Sequence, residues 1–145
     1  MNWQYWEFAI LALCIWREAR SEGEDGMRAV GHVAWNRHKT SGKTLAEVIC
    51  QDAQFTSINP PKKSYDPQLD VYPAYMDAMF RKAMTIANEI RDGNSVDPTQ
   101  GSTHYWNAKW GTSESFQRGI AEGSLIPTGK IGQHDFYKEI KLLKV

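Results

Sequence analysis

From Phe8 to Trp16 almost every position is apolar, all the way round a helix. The pattern predicts a central, buried first helix over about Tyr5 to Arg20, ending at a Ser21-Glu22-Gly23 turn. Ser21 and Glu24 have the spacing of a capping box for a second helix, which carries Met27, Val30, Val33 and Ala34 on its inner side up to Asn36-Arg37. Gly31, Ala29 and Ala34 are small enough to let it pack closely on the first. A polar loop, His38 to Lys43, leads to a second capping box, Thr44 with Glu47, in front of a short helix bearing Leu45, Val48, Ile49 and Cys50. Gln51 to Asp70 holds Pro60, Pro61 and Pro67 among polar residues, a long irregular stretch of a kind that is usually functional or mobile. It begins with Gln54-Phe55-Thr56, expected to face a cleft.

Met76, Met79, Phe80, Ala83, Ala87 and Ile90 recur at three- and four-residue spacing and predict a fourth helix from about Tyr72 to Arg91, stopped by Gly93. After Asp97-Pro98-Thr99 the period becomes two: Thr103, Tyr105 and Asn107 point one way, His104 and Trp106 the other. A partner strand is expected around Ile131 to Tyr137. The linking segment, Trp110 to Lys130, is rich in Gly and Ser and need not be regular. The expected architecture is α+β and mainly helical, one domain over residues 1–145.

Composition narrows the function. Seventeen basic and seventeen acidic residues balance, leaving no field to drive binding to nucleic acid or an anionic membrane. The apolar run is too short for the roughly 20 residues that cross a bilayer, so no stable membrane insertion is expected. The first basic residue is Arg17, so the N-terminus lacks the basic start of a signal peptide. Synthesis in the cytoplasm follows, with any route outward supplied by another protein. Six Trp and six Tyr suit flat, polar-edged ligands such as sugar rings, although most belong in a core. Cys14 and Cys50 are too few for a disulfide framework or a zinc site and read as buried, inert thiols, with a single bridge between them left open. His32, His38, His104 and His134 show no ligand spacing; no metal or cofactor is expected.

The candidate chemistry centres on Glu18. One and two turns back on its face lie Cys14, Ile15 and Leu11, so a carboxylate ends a greasy helix. Desolvation there would raise its pKa, as a general acid working near neutral pH requires. An arbitrary glutamate would more often sit in water and pair with Arg17, Arg20 or Arg37. Against that, Glu22 and Glu24 follow closely and the chain turns at Gly23 and Gly26, so carboxylates converge where a helix ends and a loop opens.

Trp16 to Gly26, followed by Ala29-Val30-Gly31-His32-Val33-Ala34-Trp35-Asn36-Arg37, resembles the cell-wall hydrolase family that includes spore-cortex-lytic enzymes and some phage endolysins. That family's signature is a Gly-Glu-Ala-Arg-Gly-Glu core before a helix ending Asn-Arg. Gln54-Phe55, Asp97-Pro98-Thr99 with Gly101, Thr103-His104-Tyr105 with Asn107, and Ile131-Gly132-Gln133-His134 with Phe136-Tyr137 match in order. The resemblance implies a lysozyme-like domain with a small β-hairpin beside the cleft, acting on the glycan strands of peptidoglycan. It gives Glu18 the place of the catalytic acid and Glu22 that of the second acid of the core. Gln54, Phe55, Thr103, Tyr105 and Asn107, with Glu22, become expected substrate-binding residues. Arg17 and Ser21 stand where the family core has small residues, and an inward-turned Arg17 would oppose a raised pKa at Glu18.

A hydrolase would show a second carboxylate about 5 Å away for retention or about 6.5 to 9.5 Å for inversion. Glu22, Asp97 and Asp135 are the candidates. The resemblance suggests lytic transglycosylation instead, in which one glutamate is acid and then base and the muramic hydroxyl closes a 1,6-anhydro ring. A rival reading is a cysteine peptidase or amidase on the peptide stems, with Cys14 as nucleophile and His104 or His134 as base; another is a non-catalytic glycan-binding module. The bare catalytic domain suggests a monomeric phage endolysin that depends on a holin for export and acts on the wall from the periplasm or the cell surface.

Overall fold

Helix α1 (Trp3–Ala19) runs through the middle of the helical layer, with Leu11, Ala12, Cys14 and Ile15 at most 1% exposed. In this computed structural model, which describes residues 3–51, 55, 58, 71–74, 76–107 and 113–140, α2 (Gly23–Ser41), α3 (Leu45–Ile49) and α4 (Ala78–Arg91) pack round it. β1 (His104–Asn107), α5 (Glu114–Glu122), β2 (Leu125–Ile131) and β3 (His134–Glu139) follow.

Helix α2 buries two faces. Met27, Val30 and Ala34 join the helical core, while Ala29 and Val33 meet Phe136 of the sheet. It is therefore the wall between the two halves. Gly31 makes that possible, because a Cβ there would lie 2.9 Å from Ile15 Cδ1 and 2.7 Å from Ile90 Cδ1.

The ends of the helices differ from the expected ones for local reasons. The Ser21–Glu24 capping box does not form: Glu22 is the N-cap, without a side-chain bond, and the Glu24 carboxylate takes Arg28 at 3.1 Å and Lys82 at 3.2 Å instead. His38 to Ser41, expected as loop, is the last turn of α2, closed by left-handed Gly42. Thr44 does cap α3, accepting the Glu47 N–H at 3.1 Å. Helix α4 starts six residues later than the Met and Phe stripe suggests. Pro73 and left-handed Met76 (φ 65°) interrupt the pattern, and Asp77 caps the helix by accepting the Phe80 N–H at 2.8 Å.

The sheet has three antiparallel strands in the order β1-β3-β2. β1 pairs with the expected segment, Tyr105 opposite Phe136 and Asn107 opposite His134. The hairpin, however, is β2–β3: Ile131 belongs to β2, and the stretch expected to be irregular contains both α5 and β2. Ser113 caps α5, and Gly119 lets it lie on β2, since a Cβ there would come within 2.8 Å of Leu125 Cδ1.

The segment leading into β1 is fastened by Asp97. Its carboxylate accepts the Thr99 N–H (2.8 Å) and hydroxyl (2.6 Å), the Gly101 N–H (2.9 Å) and the Asn36 amide (2.8 Å). Asn36 also donates to the Ser102 carbonyl at 2.9 Å. The Asn36 and Asp97-x-Thr99-x-Gly101 positions thus hold the strand against α2. Among the described residues no helix is long and apolar enough to cross a membrane; of the two cysteine thiols Cys14 is buried as expected, whereas Cys50, just past the end of α3, is exposed.

Candidate active site

A cleft of about 760 Å³ opens between the C-terminal end of α1, the end of α2, the sheet and α5. Glu18, Arg37, Phe55, Tyr105, Asn107, His104, Trp106, Phe116, Glu122 and Glu139 are among the residues lining it. Glu18 is half-buried there, whereas Glu122 and Glu139 are exposed. It occupies the penultimate position of α1, above the fully buried Cys14 and Ile15.

Tyr105 is held on three sides. Its ring lies 4.9 Å from His134, 5.9 Å from Phe136 and 6.4 Å from Phe55, centroid to centroid. Its hydroxyl donates a hydrogen bond to Glu18. Burial, then the Glu18 charge and Cys14, push the phenol well above its usual pKa, so it stays a donor at neutral pH. The strand and the helix end thereby meet at one carboxyl group.

Arg37 supplies the fixed cation of the cleft. Its Nε donates to the Thr103 carbonyl, and its guanidinium carbon lies 5.5 Å from the centre of the Phe55 ring. Arg17 donates to the Val71 carbonyl at 3.1 Å and lies 4.8 Å from the Tyr72 ring centre.

Residues 21–137 match the family model described as cell wall hydrolase. The chain belongs to the cell wall hydrolase family. Two solved structures resemble this cell wall hydrolase over most of their length. The catalytic domain of the germination-specific lytic transglycosylase SleB from Bacillus anthracis is 26% identical with a TM-score of 0.66, covering 91% of this chain and 93% of its own. The catalytic domain of the SleB protein from Bacillus cereus shares the fold at 24% identity and a TM-score of 0.64, covering 91% and 89%. Among curated proteins there is no match. The lysozyme-like, mainly helical α+β class is accordingly the fold of this hydrolase.

The residues expected to bind substrate in this cell wall hydrolase separate into groups. Phe55, Tyr105 and Asn107 line the cleft with Glu18. Thr103 is buried beside it, its Oγ1 accepting the Glu139 N–H at 2.9 Å. Glu22 lies outside the residues lining the cleft, against His134 and Gly132. Gln54 is outside the described residues. The acids Asp97 and Asp135 are likewise not among those lining the cleft.

Both faces of β1 contribute to the cleft. His104 and Trp106 turn toward α5, where Phe116 sits 6.0 Å and 6.1 Å from their rings and 5.1 Å from Tyr137. The Ser113-x-x-Phe116 cap and the Phe116, Gly119, Ile120 spacing were the available signals for that helix. His104 is neutral, its pKa lowered to about 4 by burial and by Arg37. Its 3.6 Å approach to Glu139 is therefore not an ion pair at pH 7. Thr103 Oγ1, which accepts the Glu139 N–H, also shares a hydrogen bond with His104 Nδ1 at 2.9 Å. Cys14 is wholly buried, and burial followed by the Glu18 charge raises its thiol well above the ordinary value, the wrong direction for a nucleophile.

Proposed function

We propose that this cell wall hydrolase domain cleaves the glycan strands of peptidoglycan by lytic transglycosylation, with Glu18 as acid and then base. The observation that carries the reading is the placement of Glu18: a half-buried carboxyl at a helix end, in a sugar-sized cleft, hydrogen-bonded by Tyr105. Glu18 protonates the glycosidic oxygen as the bond to the muramic C1 breaks. Its carboxylate then takes the proton of the C6 hydroxyl, which closes on C1 as the 1,6-anhydro ring. Tyr105 supports the carboxylate between the two steps, and Arg37, lining the same cleft, adds positive potential to the negative charge left on Glu18. Trp106 offers an apolar ring face, and Asn107 a polar group, to the sugar, over the buried Phe55.

Transglycosylation is favoured over hydrolysis by the likeness to a protein described as a lytic transglycosylase.

Mass spectrometry of digested sacculi in heavy-oxygen water tests the reading. Anhydromuramic ends without incorporated oxygen are expected. Reducing muramic ends carrying one heavy oxygen would replace it by hydrolysis, and cleaved stems with intact glycan would replace it by a peptidase. A role in phage lysis adds one expectation, that expression inside cells lyses them only when a holin opens the membrane. Lysis without it would remove that part of the proposal.

A further inference from the structure

Glu22 and His134 are a titratable pair that the proposed reaction leaves unused. His134 opens β3 and is 9% exposed, and its Nδ1 is the buried side-chain polar atom without a hydrogen-bond partner among the described residues. Glu22 Oε1 faces that atom at 3.8 Å. The Glu22 side chain is 14% exposed and is closed in by glycines: a Cβ at Gly26 would lie 2.4 Å from Glu22 Cβ, and one at Gly132 2.6 Å from Oε2. As N-cap of α2 its negative charge meets the positive end of the helix. A carboxylate so confined has His134 as its facing partner.

The other contact of the imidazole is with Tyr105. The two rings meet edge to face at 80°, 4.9 Å apart, and Phe136 lies 6.4 Å from His134 on the same strand. Rotation of the His134 ring would drive its edge into Tyr105 or leave a gap behind it. The Glu22 charge 3.8 Å from Nδ1 favours the ring setting and tautomer that turn a proton-bearing Nδ1 toward it. The groups acting on His134 are Glu22 and Asp135, those on Tyr105 are Glu18, Cys14 and Arg37.

We propose that Glu22 and His134 are positioning residues for Tyr105: Glu22 sets the imidazole, the imidazole sets the phenol ring, and the phenol hydroxyl sets the Glu18 carboxyl. The proposal rests on the reading of Glu18 as the acid and reassigns Glu22 from sugar contact to support behind the strand. Loss of alignment at Tyr105 weakens a bond that favours ionised Glu18, so the acid's pKa rises and the carboxylate left after proton transfer loses a stabilising donor.

Two variants, Glu22→Gln and His134→Phe, test this in two ways. NMR of the full chain with isotope-labelled tyrosine reads the Tyr105 phenol without substrate: both variants are expected to move its signal in the direction that Glu18→Gln moves it. In wall-digestion kinetics both should lower kcat by about ten- to a hundredfold with KM held. The basic limb of the kcat profile should shift up by about half a pH unit to one unit, and the double variant should add little to either single one. A Tyr105 signal that stays in place in both variants while Glu18→Gln moves it would overturn the proposal, as would a raised KM with kcat and pH profile unchanged, which would return Glu22 to the sugar. Should Glu18→Gln retain full cleavage, the reading of Glu18 fails while the NMR comparison still decides whether Glu22 and His134 position Tyr105.

Discussion

Glu18→Gln is expected to lower the rate of glycan cleavage by about 10²- to 10⁴-fold, the range that general acid–base catalysis contributes. The amide has the shape of the carboxyl and still accepts the Tyr105 hydroxyl, but it has no proton to give to the glycosidic oxygen. Folding should survive, since the group sits above an apolar floor of Cys14 and Ile15 and its replacement removes a charge from a half-buried place. Turbidity loss of purified sacculi measures the rate, and pelleting with sacculi measures binding. Lost turnover with retained binding is the expected pair of results. Turnover within tenfold of the parent would remove Glu18 from the chemistry, and a non-catalytic glycan binder would show no turnover in either protein.

How this site could be found in the sequence depends on which forces place each group. Glu18 was legible because its surroundings are local: Leu11, Cys14 and Ile15 lie on its own helix, and a 3.6-residue period brings them together without reference to the rest of the fold. The Thr44 cap and the Ala83, Ala87, Ile90 stripe are local in the same way. Groups set by distant contacts were not. Ser21 and Glu24 have capping spacing, but Lys82 from another helix and Arg28 take the Glu24 carboxylate. Helix α5 has few apolar residues of its own and is held by Gly119 on Leu125 and by Phe116 among three aromatic rings, contacts that span the whole C-terminal third. Arg37 reads as the end of a helix; its place in the cleft follows from the Thr103 carbonyl and the Phe55 ring, which other segments bring to it.

The same division explains the motif acids. Glu22 and Asp97 lie in the stretches that resemble the family's motifs, yet neither is among the residues lining the cleft with Glu18. Each instead sits beside a tight turn, Gly132 for Glu22 and Gly101 for Asp97, where the chain needs an acceptor or has room for a carboxylate. The motif spacing in this chain thus carries strand placement as well as chemistry.

Asp97→Asn should destabilise the fold by about 2 to 3 kcal/mol at pH 7, because an amide retains one acceptor oxygen and turns donors toward the N–H and hydroxyl groups that the carboxylate now accepts. Burial pushes the Asp97 pKa up, but bonds from the Thr99 hydroxyl, Asn36, and the Thr99 and Gly101 N–H groups outweigh it and leave the folded value below the ordinary one. A depressed folded pKa gives stability that is fully present above the unfolded pKa of about 3.9 and is lost as pH falls through the folded value. The difference between parent and variant should therefore hold near pH 7 and close below about pH 4. His32, 4.0 Å away, has its own pKa lowered by burial and raised back in part by the Asp97 charge, so the difference widens slightly before it closes. Urea unfolding at several pH values measures it. Because Asn36, Ser102 and Thr103 carry Asp97 into β1, cleavage should fall with stability as Tyr105 loses its register against Glu18. Equal stability of the two proteins at pH 7, or a gap that persists unchanged at pH 3, would mean that β1 is held by its pairing with β3 and not by this carboxylate.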